Sequence, residues 1–362
     1  MARVCLNMIV KDEAHVLRRC LRSVRSFIDG WAIVDTGSTD GTQALIQEEL
    51  EGLPGELFER PWVDFGHNRT EAIALAGSQW DYLYFIDADE ELVLPEGWTR
   101  PELNAPAYLV KYLHDSITYQ RPSLVSARLP WRYVGVLHEH LDCGQPVPGE
   151  PLDGPLVIYR AEGARSLDPL KFQRDAEVLE RALRAEPANT RYRFYLAQSH
   201  RDAGNLETAL DQYRHRARQG GWAEEVYVSL LQAARLLERL GRPPAEVGQA
   251  YLAAHTARPS RAEALVDLAR FFREQGDHAT AYRFARKALD LPPSPDILFV
   301  EPEATGWRAQ DEAAVSAYWV GRPAECRDRC RALLASGALP QDQVPRVATN
   351  LDYALRALGE SG

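Results

Sequence analysis

A chain of 362 residues is long enough for two domains, each with its own core. Its 45% hydrophobic and 26% charged content is that of an ordinary globular protein. A formal net charge of −10 argues against a generic nucleic-acid or anionic-membrane binder, because such a surface repels phosphate. Five scattered cysteines, an odd number without a C-x-x-C pair, suit reduced thiols better than a disulfide framework or a zinc site. The N-terminus lacks a signal-peptide pattern and no apolar run approaches a membrane span, so the expected location is cytoplasmic.

In chain order, residues 4–10 read as a buried strand and residues 13–27 as a helix with Val16, Leu17, Leu21 and Val24 at helical spacing. Residues 31–34 form a second strand, followed by the turn-rich loop Asp35-Thr-Gly-Ser-Thr-Asp-Gly-Thr42 and a helix to Leu50. Phe58 marks a third strand, and Asn68 to Ala76 a further helix. The aromatic run Tyr82-Leu-Tyr-Phe-Ile then ends in Asp87-Ala-Asp89-Glu90-Glu91. Strands alternating with helices predict a mostly parallel sheet with right-handed crossovers. From Ala107 to Tyr159 the helical period fades, as expected of a mixed extension of the sheet, with Gln145–Pro155 read as a loop.

After about Asp168 the chain turns to Ala/Leu/Arg/Glu-rich helices with an internal repeat. Gly204, Gly241, Gly276 and Gly321 are each preceded, seven residues earlier, by Ala197, Ala234, Ala269 and Ala314. Small residues where paired helices cross, and glycine at the turn between them, are what stacked helical hairpins require. The spacing resembles the tetratricopeptide repeat, in three to four degenerate units. The expected division is residues 1–165 and 166–362.

Four groupings carry chemistry. Two carboxylates one residue apart, at the C-terminal end of a buried strand, sit where open α/β sheets bind ligands, and their oxygens suit Mg²⁺ or Mn²⁺ on a diphosphate. A solvated acidic turn is the plainer account of Asp87 and Asp89 alone. Asp35, at another strand end before small residues, is suited to accept a pyrimidine N–H; Ser38 or Asp40 would cap the next helix. Arg69, near a helix start, could serve a nucleotide or simply pair with Glu71. His138-Glu139-His140 offers a base or metal ligands, although strand alternation would send Glu139 to the opposite face from the two histidines.

In this order, Leu6-Asn-Met-Ile-Val-Lys-Asp-Glu13, Asp35–Thr42, Arg69, Asp87-Ala-Asp89 and His138-Glu139 resemble an inverting family 2 glycosyltransferase of GT-A fold. Arg191-Tyr-Arg-Phe-Tyr-Leu-Ala-Gln-Ser-His-Arg-Asp-Ala-Gly204 is similar to the junction in bacterial members that carry C-terminal tetratricopeptide repeats. The resemblance implies a nucleotide-sugar donor, a UDP-sugar by expectation, and a hexosyltransferase reaction using Mn²⁺ or Mg²⁺. It implies that Asp35 contacts the base and Arg69 the nucleotide side of the pocket. Ile9, Val10 and Glu13 border the nucleoside, and Asp87 approaches the ribose. Asp89 binds the metal, with Asp87 and His140 beside it, while Glu139 is the expected base and His138 its catalytic neighbour. Asp12 stands where such first strands often carry Asn. The helical half would hold a peptide, protein or small-molecule acceptor, or form a homodimer surface. A non-catalytic nucleotide-sugar-binding scaffold is the alternative. A sugar nucleotidyltransferase would need a Gly-rich basic loop after the first strand, which Lys11-Asp-Glu-Ala-His is not.

Overall fold

The computed structural model describes residues 2–360. The chain divides into two compact units between Ala203 and Gly204. The first opens with β1 (Val4–Val10), α1 (Ala14–Val24), β2 (Gly30–Asp35), α2 (Thr42–Glu49), β3 (Gly55–Glu59), α3 (Phe65–Leu75) and β4 (Tyr82–Phe85). Then come β5 (Glu90–Val93), β6 (Ala107–His114), β7 (Ile117–Ser126), β8 (Arg132–Val134), β9 (His140–Asp142) and β10 (Gly149–Tyr159). A short 3-10 turn over Ala164–Leu167 leads to α4 (Lys171–Ala185) and α5 (Thr190–Asp202).

Eight strands form one sheet in the order β3-β2-β1-β4-β7-β6-β10-β5, with β8 and β9 as a separate hairpin. Pairings β1–β2, β1–β4, β2–β3 and β6–β10 are parallel; β4–β7, β6–β7 and β5–β10 are antiparallel. The mostly parallel architecture expected from the alternation is therefore present, with the antiparallel pairings confined to the extension. Because β1 feeds two parallel neighbours, Val10 lies opposite Asp35, and Asn7 opposite Phe85 at the end of β4. The loops carrying Asp35 and Asp87 thus leave the same edge of the sheet, the carboxyl edge where such sheets bind ligands.

Side chains alternating along β1 feed two cores. Val4, Leu6, Met8 and Val10 pack with Val16, Leu17, Leu21 and Val24 of α1 on one face, while Cys5 joins Ala32, Trp80, Phe85 and Trp131 on the other. Asn7 is buried yet satisfied: its amide donates to Ala32 O at 3.2 Å and Ala72 O at 2.8 Å, tying β1 to β2 and α3.

One expectation needs correction. Gln145–Pro155, read as a loop, is a strand from Gly149 onward, and β10 pairs with β6 through Pro151 before a register shift to Leu156. Proline cannot donate to a ladder, so it survives in a strand at a bulge of this kind.

The second unit contains α6 (Leu206–Arg218), α7 (Ala223–Arg239), α8 (Pro244–Ala257), α9 (Glu263–Glu274), α10 (His278–Leu289), α11 (Trp307–Trp319), α12 (Pro323–Ala335) and α13 (Val344–Leu358). Gly241, Gly276 and Gly321 turn α7 into α8, α9 into α10 and α11 into α12, each with φ between 64° and 79°, a region that penalises any side chain. Ala234, Ala269 and Ala314, seven residues earlier, have no exposed surface. The long last interval is filled by residues 290–306, which Arg261 anchors by donating to Leu298 O at 3.1 Å and Phe299 O at 2.8 Å. Cys326 and Cys330 are buried free thiols within the core around α12. No described helix is long and apolar enough to cross a membrane.

Candidate active site

The loop after β2 is built around Asp35, which is 1% exposed. Its Oδ1 accepts from Gly37 N and Ser38 N, both at 2.8 Å, and from Gln43 Nε2 at 3.2 Å. Its Oδ2 is buried and has no hydrogen-bond partner. A buried acceptor left unmade costs about 1–3 kcal/mol, so this oxygen calls for a donor from outside the chain. The loop is locked against the end of β1: Asp12 N donates to Ser38 Oγ at 2.9 Å, Ala14 N to Asp40 Oδ2 at 2.9 Å, and Thr39 N to Asp12 Oδ1 at 2.8 Å. The side chain of Asp40, not Ser38, meets the first turn of α2, accepting from Thr42 N at 3.0 Å.

Asp64 caps α3 by accepting from His67 N at 2.7 Å, and so presents Arg69 one turn in. Arg69 does not pair with Glu71, which pairs with Arg60 at 3.1 Å. It bridges Asp87 at 2.5 Å and Glu139 at 2.7 Å, with its guanidinium 5.5 Å from the Tyr133 ring centre. Burial opposes its charge, but Asp87 and Glu139 outweigh that and raise it further. Asp87 faces a second cation, Arg121 of β7, at 3.6 Å, and Arg121 also holds Glu90 at 2.9 Å. Burial alone would raise Asp87; the two arginines reverse this and hold its carboxylate well below the ordinary value.

Asp89, 8% exposed, has a different environment. Its Oδ2 accepts from Gly163 N at 3.0 Å, and burial, with the charge of Asp87, raises its pKa. Glu13 accepts from Ala164 N at 3.2 Å and is pushed up to about 7 by burial, with Asp89 and Asp87 adding to the rise. Glu90, 2% exposed, is also raised, chiefly by burial, despite Arg121.

The three residues 138–140 part company. Glu139, with its side chain 11% exposed, meets Arg69. His138 takes a left-handed backbone (φ 50°) and lays its ring on Tyr195 of α5, centroids 3.8 Å apart and planes 6° apart. Arg191 Nε donates to His138 O at 2.9 Å. His138 is solvent-exposed at its surface, and desolvation of its ring together with Arg191, Arg165 and Lys171 holds its imidazole below the ordinary value. His140 begins β9 opposite Val134, with Arg191, Asp142 and Glu139 about it. Among the described residues no three His, Cys, Asp or Glu side chains converge as a metal shell. The expected contact of His140 beside Asp87 and Asp89 is therefore not formed. The hairpin turn sends its consecutive side chains to different partners, and the arginines already engage Asp87.

Sequence reasoning assigned no role to Arg121, Glu90 or the Gly163–Ala164 turn. Arg121 sits in a strand whose neighbours read as ordinary mixed sheet, and only pairing across β4, β7 and β6 brings it to Asp87.

Residues 5–98, the segment from β1 through β5, match the Glycosyl transferase family 2 domain. A TPR repeat-containing protein of Synechococcus elongatus is 31% identical over 316 residues, covering 81% of this chain and 76% of that one. The chain belongs to the family 2 glycosyltransferases that carry tetratricopeptide repeats. Among other relatives of this glycosyltransferase, the lipopolysaccharide core biosynthesis glycosyltransferase LpsC of Rhizobium meliloti is 36% identical over 90 residues, covering 25% of this chain and 30% of LpsC. The SPbeta prophage-derived glycosyltransferase SunS of Bacillus subtilis is 32% identical over 87 residues, covering 24% of this chain and 20% of SunS. A tetratricopeptide repeat protein from Parabacteroides merdae is similar at 19% identity and a TM-score of 0.39, over 52% of this chain and 68% of that one. Asp35, Arg69, Asp87 and Asp89 of this glycosyltransferase fall inside the matched family segment; Glu139 lies beyond it.

Proposed function

We propose that this glycosyltransferase takes a hexosyl group from a UDP-sugar and passes it, with inversion, to an acceptor hydroxyl in a reaction that needs Mn²⁺ or Mg²⁺. The observation that carries the reading is the buried, partnerless Oδ2 of Asp35 on the same sheet edge as Asp87 and Asp89. A uracil ring N–H supplies the donor that this oxygen requires, and a base without one leaves it unpaired. Ile9 and Val10, at the end of β1, border the nucleoside.

The residues present fit a divalent cation. Asp89 offers carboxylate oxygens that no side-chain ion pair engages among the described residues, whereas arginines hold Asp87 and Glu90. Mg²⁺ and Mn²⁺ are commonly held by one or two carboxylates together with substrate phosphates. When bound, the cation stabilises charge on the departing diphosphate. Arg69 and Arg121 hold Asp87 ionised and fixed toward the ribose. Glu139 accepts the acceptor's proton as the hydroxyl attacks, and Arg69 fixes its position. The tetratricopeptide helices offer a surface for a peptide or protein acceptor.

The test is a panel of nucleotide sugars assayed for Mn²⁺-dependent hydrolysis. Asp89→Ala should lower turnover of the accepted donor by about 10²-fold or more. The reading is lost if no nucleoside diphosphate binds with Mn²⁺ and Asp89→Ala changes nothing.

A further inference from the structure

We propose that Glu13 shares the divalent cation with Asp89 as the second protein carboxylate, and that the Gly163–Ala164 turn gives way when the cation arrives. This rests on the metal-dependent reading above, and it moves Glu13 from the border of the nucleoside to the metal.

The geometry starts from two consecutive backbone N–H groups. Gly163 N donates to Asp89 Oδ2 at 3.0 Å; Ala164 N donates to Glu13 Oε2 at 3.2 Å and Oε1 at 3.3 Å. A Cβ placed on Gly163 would stand 3.1 Å from Asp89 Oδ2 and 3.4 Å from Glu13 Oε1. Two carboxylate oxygens from distant parts of the sequence therefore face one point beside the turn.

Charge separates this pair from the neighbouring acids. Asp87 and Glu90 have arginines against them. Neither Asp89 nor Glu13 forms an ion pair among the described residues, and His15 and Lys171 only temper their charge from further off. Amide dipoles are what the two carboxylates face, and a dipole is a weaker partner for a buried carboxylate than a full positive charge. The turn is strapped to α1 through Glu162, whose carbonyl meets His15 Nε2 at 2.9 Å and whose carboxylate pairs with Arg19 at 2.6 Å. Ala161 at its start has a left-handed φ of 54°, a conformation costly for a residue with a Cβ. As the turn yields, the carboxylates exchange N–H donors for the cation.

The experiment is calorimetric titration of Mn²⁺ into the full chain with saturating UDP, for the native protein, Glu13→Gln and Asp89→Asn, with thermal melts as folding controls. Amide hydrogen exchange over residues 160–168 is followed with and without Mn²⁺ and UDP. Glu13→Gln should weaken Mn²⁺ binding by about tenfold or more, the range for a lost ligand contact, and Asp89→Asn should weaken it further. In the native protein the amides of Gly163 and Ala164 should exchange several-fold faster once the cation is bound. If Glu13→Gln keeps native Mn²⁺ affinity while Asp89→Asn loses it, the role of Glu13 is overturned and the metal-dependent reading stands. Unchanged exchange at residues 163 and 164 overturns the yielding turn. If the native protein takes up no Mn²⁺ with UDP, the metal-dependent reading fails first and this inference falls with it.

Discussion

In the first unit three acids of the site are pushed toward their neutral forms, Glu13 up to about 7 and Asp89 and Glu90 upward, chiefly by burial, while two arginines hold Asp87 low. In the second unit, Asp267, Asp296 and Glu301 also suffer burial, yet arginines outweigh it and hold all three below the ordinary range. Asp267 sits between Arg235 at 2.7 Å and Arg308, and Glu301 accepts from the same two arginines. Asp311 meets Arg346 at 2.8 Å, again from one repeat to another. Glu312 is the exception, raised by burial although Arg273 pairs with it. Buried charge alone therefore does not mark a site. Acids without an ion-paired cation are the stronger mark, and Glu13 and Asp89 of the first unit are two of them.

That contrast can be broken by mutation. The largest effect belongs to Glu139→Gln, which should cut transfer by about 10²–10⁴-fold while leaving donor KM and thermal stability near native; an equal loss in KM would make Glu139 a binding residue. Asp267→Asn should do the reverse, stranding Arg235 and Arg308 and destabilising the second unit by about 3–5 kcal/mol with UDP affinity unchanged. A melt within experimental error of native would show that its arginines find other partners.

pH sharpens the same difference. A carboxylate whose folded pKa is depressed contributes stability above its unfolded value of about 4, and loses that contribution as pH falls through the folded value. Asp267, Asp296 and Glu301 fit this case, so unfolding of the second unit should begin at lower temperature once pH drops below about 4. A flat melting temperature from pH 5 to 2.5 would contradict it. The smallest effect is expected at Arg242→Ala, whose pair with Glu207 at 2.6 Å is solvent-exposed on both sides and worth less than about 1 kcal/mol.

The framework was legible where signals are local. The strand read over residues 4–10 is Val4–Val10, and the small-residue spacing located Ala234, Ala269 and Ala314 against Gly241, Gly276 and Gly321. Legibility ended where partners are distant in sequence. Pro151 and Pro155 suggested a loop because composition cannot see β6, the strand against which β10 pairs. Arg69 could be read toward Glu71 two residues on in the same helix or toward a ligand; the fold gave it Asp87 and Glu139 instead. Strand alternation would have put His138 and His140 on one face and Glu139 on the other, but residues 138 and 139 lie in the turn between β8 and β9, and the aromatic face of Tyr195 takes His138. Compactness likewise places α4 and α5 with the sheet, whereas helical composition alone set the expected division at residue 165.

The most direct test of the central claim is a calorimetric comparison of UDP, CDP, GDP and ADP binding, each with Mn²⁺, to the native chain and to Asp35→Ala. The account predicts that UDP binds best, that Mn²⁺ strengthens it, and that Asp35→Ala erases the preference by about tenfold or more, the scale of one lost buried hydrogen bond. Equal binding of all four nucleotides, unchanged by Asp35→Ala, would contradict it.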